Sequence, residues 1–385
     1  MKTLYSFNVR NFKTAGDRRS AMEKELHIGL KHTGAYTLDS AVASARNCEN
    51  MVGATQVPLG IAGPLRIHGT DHFLPLATTE GALVASVSRG CKAITESGGA
   101  SVMSVRVGAT RGPVFKVKSL AEQTKLFDFI ASHTKEFDRI AKTSSAHITL
   151  THVESHSVGL LHFVRFTFDT QDAMGLNMVT IASQLIADHI EKYTGARCVS
   201  LSGNYCVDKK PSWLNFTHGR GFEVWAEVTV PQHVLKNVLK TTAQNIYDVW
   251  LAKCMVGSAM SGSMGFNAQY ANIVAALFIA TGQDPAHVVE GSMGITTAEV
   301  KGKDVYISVY LPDLMVGTVG GGTGLATQLE ALRLLGVAGG KNGKNSQKFA
   351  EIMAGAVLAG EVSLLASLGE GTLARAHTTL ARGGK

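Results

Sequence analysis

Val158-Gly159-Leu160-Leu161-His162-Phe163-Val164-Arg165-Phe166-Thr167-Phe168, followed closely by Asp172-Ala173-Met174-Gly175-Leu176-Asn177-Met178, decides the fold. The first run is rich in aromatic and β-branched residues and reads as a strand. The second opens a helix to about Tyr193, with Met178, Ile181, Leu185 and Ile190 as its apolar stripe and Asp172 as its cap. Upstream lie a strand at Pro113 to Lys118, a helix at about Ala121 to Ile140 and a strand at His147 to Val153; downstream lies a strand at Cys198 to Leu201. The order β-α-β-β-α-β is the ferredoxin-like signature. It predicts an α+β protein in which a small domain, residues 112–201, is inserted into a large mixed domain made of 48–111 and 212–385. Residues 202–211 connect the two, and 1–47 form a helical N-terminal segment.

Outside the insert, Ser20 to Leu30 and Thr37 to Asn47 read as helices, the second capped by Thr37 with Leu38, Val42 and Ala45 on its apolar side. Thr78-Thr79-Glu80-Gly81 opens a helix to about Ser97, with Glu80 in the first turn, where the helix dipole favours a carboxylate. Arg89, further along, reads by default as a solvent-facing charge. Asn267 to Ala280 is apolar almost all round, so it is central, and Asn272 within it needs a hydrogen-bond partner if buried. Val224 to Val230 and Val305 to Tyr310 are strands, and helices are expected at 325–335, 346–358 and 361–376.

Of the 385 residues 45% are hydrophobic and only 17% charged, which points to much buried surface and an oligomer with an extensive interface. A net charge of +7 allows an anionic partner, but no basic run exceeds two residues, so a phosphate-bearing small ligand fits better than nucleic acid. Five cysteines without a CxxC pattern predict reduced thiols and a cytoplasmic location. The N-terminus shows no apolar signal core, and the longest apolar helix candidate, Ile273 to Ala280, is too short to span a bilayer; no membrane partner is expected.

Two stretches are candidates for chemistry, although on residue types alone the first reads more readily as a solvated turn. Ser202-Gly203-Asn204-Tyr205-Cys206-Val207-Asp208-Lys209-Lys210-Pro211 is a polar turn-forming connection that brings one acid and two lysines together. Gly317-Thr318-Val319-Gly320-Gly321-Gly322-Thr323-Gly324 fits neither phosphate-loop template and reads as a glycine floor beneath a flat ligand. At the Asp172 helix start, Gly175 lets a ligand approach free backbone N–H groups.

Together with Glu49 to Gly53 (ENMVG), Thr78 to Gly81 (TTEG), Gly257 to Gly262 (GSAMSG) and Gly282 to Pro285 (GQDP), these stretches resemble hydroxymethylglutaryl-CoA reductase, in the soluble catalytic-domain form of its class I. Seven motifs in order, from Glu49 to His377, carry the resemblance. It implies two-step reduction of the CoA thioester to mevalonate and CoA, through a hemithioacetal and an aldehyde. Lys209 matches the cation that stabilises the oxyanion. Glu80 matches the acid kept protonated by burial and a neighbouring carboxylate, Asp284, and His377 matches the proton donor to the CoA thiolate. Arg111, Ser202, Asp208, Lys210, Lys253, Asn272 and Arg89 fall at substrate-binding positions. Asp172, Met174, Gly175, Leu176 and Asn177, with Gly320 and Gly321, look like the nicotinamide-dinucleotide site.

ENMVG resembles a dimerisation motif, so the resemblance implies a homo-oligomer, a dimer or dimer-based assembly with shared active sites. The cofactor implied is NADPH, with NADH as the alternative, and no metal. The Ser-Arg pair that NADPH-using members carry before DAMG is replaced by Val158-Gly159-Leu160, while Arg382 keeps one phosphate partner. Gly383 stands where some members are phosphorylated, and no membrane region precedes the catalytic part. Two other readings are the same chemistry run as NAD-dependent mevalonate oxidation, and a CoA- or nucleotide-binding homologue without turnover. The joint presence of Glu80, Lys209, Asp284 and His377 speaks against the second, because binding alone does not need all four.

Overall fold

The computed structural model describes residues 7–370. A hairpin pairs β1 (Leu59–Ile67) with β2 (Thr70–Ala77). The other described strands are β3 (Ser101–Arg111), β4 (Val114–Lys116), β5 (Thr149–Val158), β6 (Leu161–Asp169), β7 (Arg197–Ser200), β8 (Arg220–Val230), β9 (Gly265–Phe266), β10 (Gly294–Lys301) and β11 (Asp304–Leu314). They form one sheet in the order β7-β4-β6-β3-β8-β11-β10-β9, with β5 on the other side of β6. The order β7-β4-β6-β5 is antiparallel throughout and is the ferredoxin-like arrangement that the sequence predicts.

Two apolar cores pack on this sheet. One gathers Phe115, Phe137, Phe166 and Phe168, the other Leu65, Val87, Tyr270, Phe278 and Phe349. Strand β3 serves both: Ser101 to Gly108 pair with β8, and Ala109 to Arg111 pair with β6. The two parts therefore share a strand, and hydrogen bonding is continuous between them.

Several elements differ from their sequence reading, each for a packing reason. The expected 121–140 helix is two, Leu120–Ser132 and Thr134–Ser144, divided at His133, whose N–H closes the first helix on Phe129 and Ile130. The helix Leu176–Thr194 buries Val179, Ala182, Ile186 and Ile190 and leaves Ile181 and Leu185 exposed, so its core face is turned away from the expected stripe and keeps only Ile190 of it fully buried. The first helix spans Ala15–Leu26, and the second, Ser40–Arg46, is capped by Asp39 in place of Thr37, with Val42 exposed and Ala43 buried.

The two helices expected at 346–358 and 361–376 are, within the described residues, one, Lys344–Gly369. It is also the longest apolar helix, a place the sequence reading gave to Ile273 to Ala280. By length and composition it could cross a membrane, but 78% of its most apolar window is buried inside the protein, so it is a core helix. Gly360 does not break it; the missing side chain makes room for Ile273 of the helix Tyr270–Thr281, which is as central as predicted.

The helix Leu83–Glu96 crosses Lys344–Gly369 at Gly90, where an added Cβ would lie 1.9 Å from the Ala359 carbonyl oxygen. Backbone cannot yield as a side chain can. Gly90→Ala is therefore expected to destabilise the fold by about 3 kcal/mol, the upper range for overpacking, read as a lower denaturant midpoint.

Candidate active site

Three non-glycine residues of the loop between β7 and β8 adopt left-handed backbone: Asn204 at φ 60°, Val207 at φ 49° and Lys209 at φ 57°. For a β-branched residue such as Val207 this is strained, and it persists only where the surroundings over-determine it. They do. Thr110 Oγ1 donates to the Cys206 carbonyl at 3.0 Å, Asn215 Nδ2 to the Val207 carbonyl at 3.0 Å, and the Lys209 N–H to Glu290 Oε1 at 3.1 Å.

Beneath the loop sits Arg220, at the start of β8 and 0% exposed. Its guanidinium donates to Asp208 Oδ1 at 2.7 Å, Glu290 Oε1 at 3.0 Å and Thr110 Oγ1 at 2.9 Å, and lies 3.9 Å from Asp313. Burial disfavours its charge, but the three carboxylates outweigh that and raise its pKa. Burial also pushes the Asp313 carboxyl up to about 7, against the pull of Arg220. The sequence reading began this strand at Val224 and missed Arg220, Glu290, Asp313 and Asn215. Its one available signal was an arginine between two glycines at a strand start.

The loop delivers Lys209 Nζ to Asp284 Oδ2 at 2.7 Å, with both side chains a little over one-third exposed. Asp284 follows the helix Tyr270–Thr281 directly and caps the short 3-10 turn Pro285–His287. Partial burial pushes its carboxyl up, but the hydrogen bonds from Lys209 and the Ala286 N–H, with the Lys209 and His287 charges, hold it below its ordinary value. Asn272, half-buried on the same helix, donates to Glu80 Oε1 at 3.4 Å. Glu80 does not lie in a first helical turn: it precedes the helix, which starts at Leu83, and its N–H is held by Thr78 Oγ1 at 3.0 Å. Glu80 is exposed in the single chain, so the burial expected for it is not provided by the described residues.

Among the other anticipated substrate residues, Arg111 lies at the end of β3 with its guanidinium on Thr180 Oγ1, at 3.0 Å from Nε. Ser202 Oγ is 3.7 Å from Cys206 Sγ, and the exposed Lys210 reaches only the Asp208 carbonyl, at 3.4 Å. Lys253 is exposed on the π-helical turn Trp250–Gly257. Arg89 is not solvent-facing as its default reading had it; it bonds Ser363 on the core helix through Oγ at 3.1 Å and the carbonyl at 2.5 Å. His377 and Arg382 lie outside the described residues.

The two glycine-bearing stretches meet. The Thr318 N–H donates to the Asp172 carbonyl at 2.8 Å, Ala173 bridges Val319, and a Cβ on Gly317 would lie 2.3 Å from the Met174 nitrogen. Gly320 and Gly321 have positive φ and nothing within 4 Å of where a Cβ would stand, so a ligand can rest on them. Gly175, at φ 82°, is the N-cap of Leu176–Thr194 and makes no side-chain cap, so Leu176 and Asn177 begin a helix end with free N–H groups.

Asp172 does not cap that helix. Its Oδ2 accepts from the N–H groups of Lys341 at 2.5 Å and Gly343 at 2.7 Å, and its Oδ1 from those of Asn345 at 3.0 Å and Ser346 at 2.9 Å. It thus caps the core helix Lys344–Gly369, far away in sequence, with all its acceptor capacity spent there. Burial raises this carboxyl and the four N–H donors outweigh it, leaving its pKa lowered.

One trio of metal-ligand types occurs among the described residues, Asp208, His287 and Glu290. Arg220 already bonds both carboxylates, so a metal ion there would face a fixed positive charge at close range.

The sequence model of "Hydroxymethylglutaryl-coenzyme A reductase" matches residues 14–382. A 3-hydroxy-3-methylglutaryl-coenzyme A reductase of Aeropyrum pernix is 52% identical over 375 residues, 95% of this chain and 89% of that protein. One from Methanothermobacter thermautotrophicus is 47% identical, covering 95% and 93%, and one from Catharanthus roseus is 42% identical, covering 97% and 64%. Among solved structures, the class II 3-hydroxy-3-methylglutaryl-CoA reductase from Streptococcus pneumoniae bound to NADPH matches with a TM-score of 0.67 at 19% identity, over 92% of this chain and 97% of that one; this likeness speaks for the fold. On the family match and these relatives, the chain belongs to the hydroxymethylglutaryl-coenzyme A reductase family.

Proposed function

We propose that the protein reduces hydroxymethylglutaryl-CoA to mevalonate and CoA with NADPH, in two hydride steps, as a cytoplasmic enzyme of isoprenoid supply. The observation that carries this reading is the Lys209–Asp284 pair at 2.7 Å, held on a strained loop over a buried charge network. A solvated surface pair needs no such support. The open glycines Gly320 and Gly321 beside the uncapped helix start at Gly175 suit a flat ring and a pyrophosphate respectively. NADPH, when bound, supplies the hydride.

The chain's own residues do the rest. Lys209 holds the oxygen that becomes negative as the thioester carbonyl and then the aldehyde are reduced. Glu80, steadied by Asn272, gives that oxygen its proton, and Asp284 keeps the Lys209 ammonium in place between steps. Ser202, Lys210, Lys253, Arg111 and Asp208 take the substrate carboxylate and hydroxyl, Arg89 is a further substrate-binding residue, and Met174, Gly175, Leu176, Asn177 and Arg382 serve the dinucleotide. Asp172 acts there indirectly, by fixing residues 341–346 against the glycine floor.

A homo-oligomer with shared sites fits two features: exposed Glu80, and the apolar residues Leu59, Ile61 and Phe73, 45–53% exposed on the β1–β2 hairpin. The inserted domain, residues 112–201, would then carry the dinucleotide, while 48–111 and 212–385 carry substrate and interface.

His377 protonates the departing CoA thiolate. Ending the chain before His377 is expected to lower thioester reduction about a hundredfold and leave reduction of added mevaldehyde within a few-fold, because the aldehyde step has no thiolate to protonate. Equal losses on both substrates would count against that role. Initial rates with NADPH and NADH in both directions test the reading as a whole; faster mevalonate oxidation with NAD at physiological concentrations would reassign it to catabolism.

A further inference from the structure

We propose that His287 is a positioning residue for the reaction, bridging Glu290 on one side and Asp208 and Asp284 on the other, so that Asp284 stays in place when Lys209 turns to the substrate oxygen. The proposal rests on the assignment of Lys209 and Asp284 above. His287 ends the short turn that Asp284 caps and is fully buried. Its Nδ1 is 2.6 Å from Glu290 Oε1. Its Nε2 lies 3.9 Å from both Asp208 Oδ1 and Asp284 Oδ2, is shielded from solvent and makes no hydrogen bond.

A neutral imidazole with its proton on Nδ1 would aim the Nε2 lone pair at two carboxylates, which is repulsive. The imidazolium attracts on both sides. The groups facing it are Asp284 from the cap of its own turn, Glu290 from the short helix Val288–Gly291 that follows, Asp208 and Lys209 from the catalytic loop, and Arg220 from β8, with Asp313 of β11 behind the guanidinium. At rest Lys209 neutralises Asp284. In the reduction Lys209 must neutralise substrate oxygen instead, and Asp284 loses its closest cation. A second cation, held by Glu290 and out of reach of solvent, keeps that carboxylate ionised and anchored, so that Lys209 leaves and returns along one path. The proton on Nε2 is not consumed; it stays between His287 and Asp284.

Two substitutions separate this from simple packing. His287→Asn keeps a donor where Nδ1 meets Glu290 and loses the group facing Asp284. His287→Gln reaches towards Asp284 with an uncharged N–H. The expected result is a roughly tenfold lower kcat for thioester reduction in His287→Asn with KM within twofold. In His287→Gln, which turns an N–H but no charge towards Asp284, part of that rate returns and KM again stays within twofold. Wild-type kcat in both variants would overturn the proposal, as would equal losses in kcat and 1/KM. Lys209→Ala run in parallel keeps the parent reading separate: if it is inert while the His287 variants match wild type, the positioning role alone fails. Should neither variant fold, wild-type protein with nitrogen-15 histidine decides: protons on both nitrogens of a solvent-protected ring support the proposal, and a single protonated nitrogen contradicts it.

Discussion

Lys209→Ala is expected to lower kcat for thioester reduction by about a thousandfold, since removing even one uncharged donor to a developing oxyanion costs about a hundred- to a thousandfold. The fold should survive. Lys209 is 38% exposed, and an ion pair so accessible contributes less than about 1 kcal/mol to stability. The loop's shape does not depend on the side chain, because the Lys209 N–H, the Cys206 and Val207 carbonyls and Asp208 are each held from below. Lys210→Ala is the matched control. Lys210 makes no contact with Asp284 and reaches only a backbone carbonyl, so its loss should raise KM and leave kcat nearly intact. A reversed pattern, with Lys210 controlling kcat, would exchange the two roles.

The second large effect concerns Arg220. Replacing it with methionine leaves Asp208, Glu290 and Asp313 facing one another without their shared cation, and two of those three carboxylates are fully buried. Breaking a buried ion network in this way costs about 3–5 kcal/mol, because the partners cannot be resolvated. The expected outcome is a strongly lowered denaturant midpoint. Whatever protein remains folded should turn over slowly, since Arg220 also anchors Asp208 in the catalytic loop. Arg220→Lys should recover part of the stability only: an ammonium keeps the charge but cannot span Asp208, Glu290 and Thr110 at once. A stable, fully active Arg220→Met protein would mean that the network does not support the loop.

The contrast between Lys209 and Arg220 shows what could be read from the sequence. Lys209 sits in a polar stretch with its own turn formers, next to Asp208 and Lys210; local residue types mark the stretch as a turn, and the family resemblance singles out Lys209 within it. Arg220 draws its partners from residues 110, 208, 290 and 313, a convergence that no local pattern encodes. The same holds for Asp172. A local rule makes it the cap of the next helix, yet tertiary contact gives its carboxylate to the N–H groups of residues 341–346, while Gly175 starts the nearer helix.

Strand order in the smaller part was legible because alternation between strand and helix periods survives burial. Helix ends and faces were less so. Two helices were expected at 346–358 and 361–376, yet Gly360 between them is a contact point for Ile273 inside one helix, and in the helix after Gly175 the large apolar residues Ile181 and Leu185 turn outward. Burial of Glu80 is a further feature that the described residues do not supply, since the chain leaves the β1–β2 hairpin through Glu80 before the next helix begins at Leu83.

The most direct test of the central claim is a stoichiometry. Purified protein is given limiting hydroxymethylglutaryl-CoA and excess NADPH, and the absorbance of reduced nicotinamide is followed to completion alongside free thiol. Two nicotinamides are expected to be oxidised and one thiol released per thioester, with neither change in Lys209→Ala. One nicotinamide oxidised per thioester, no oxidation by the wild type, or undiminished turnover in Lys209→Ala would contradict it.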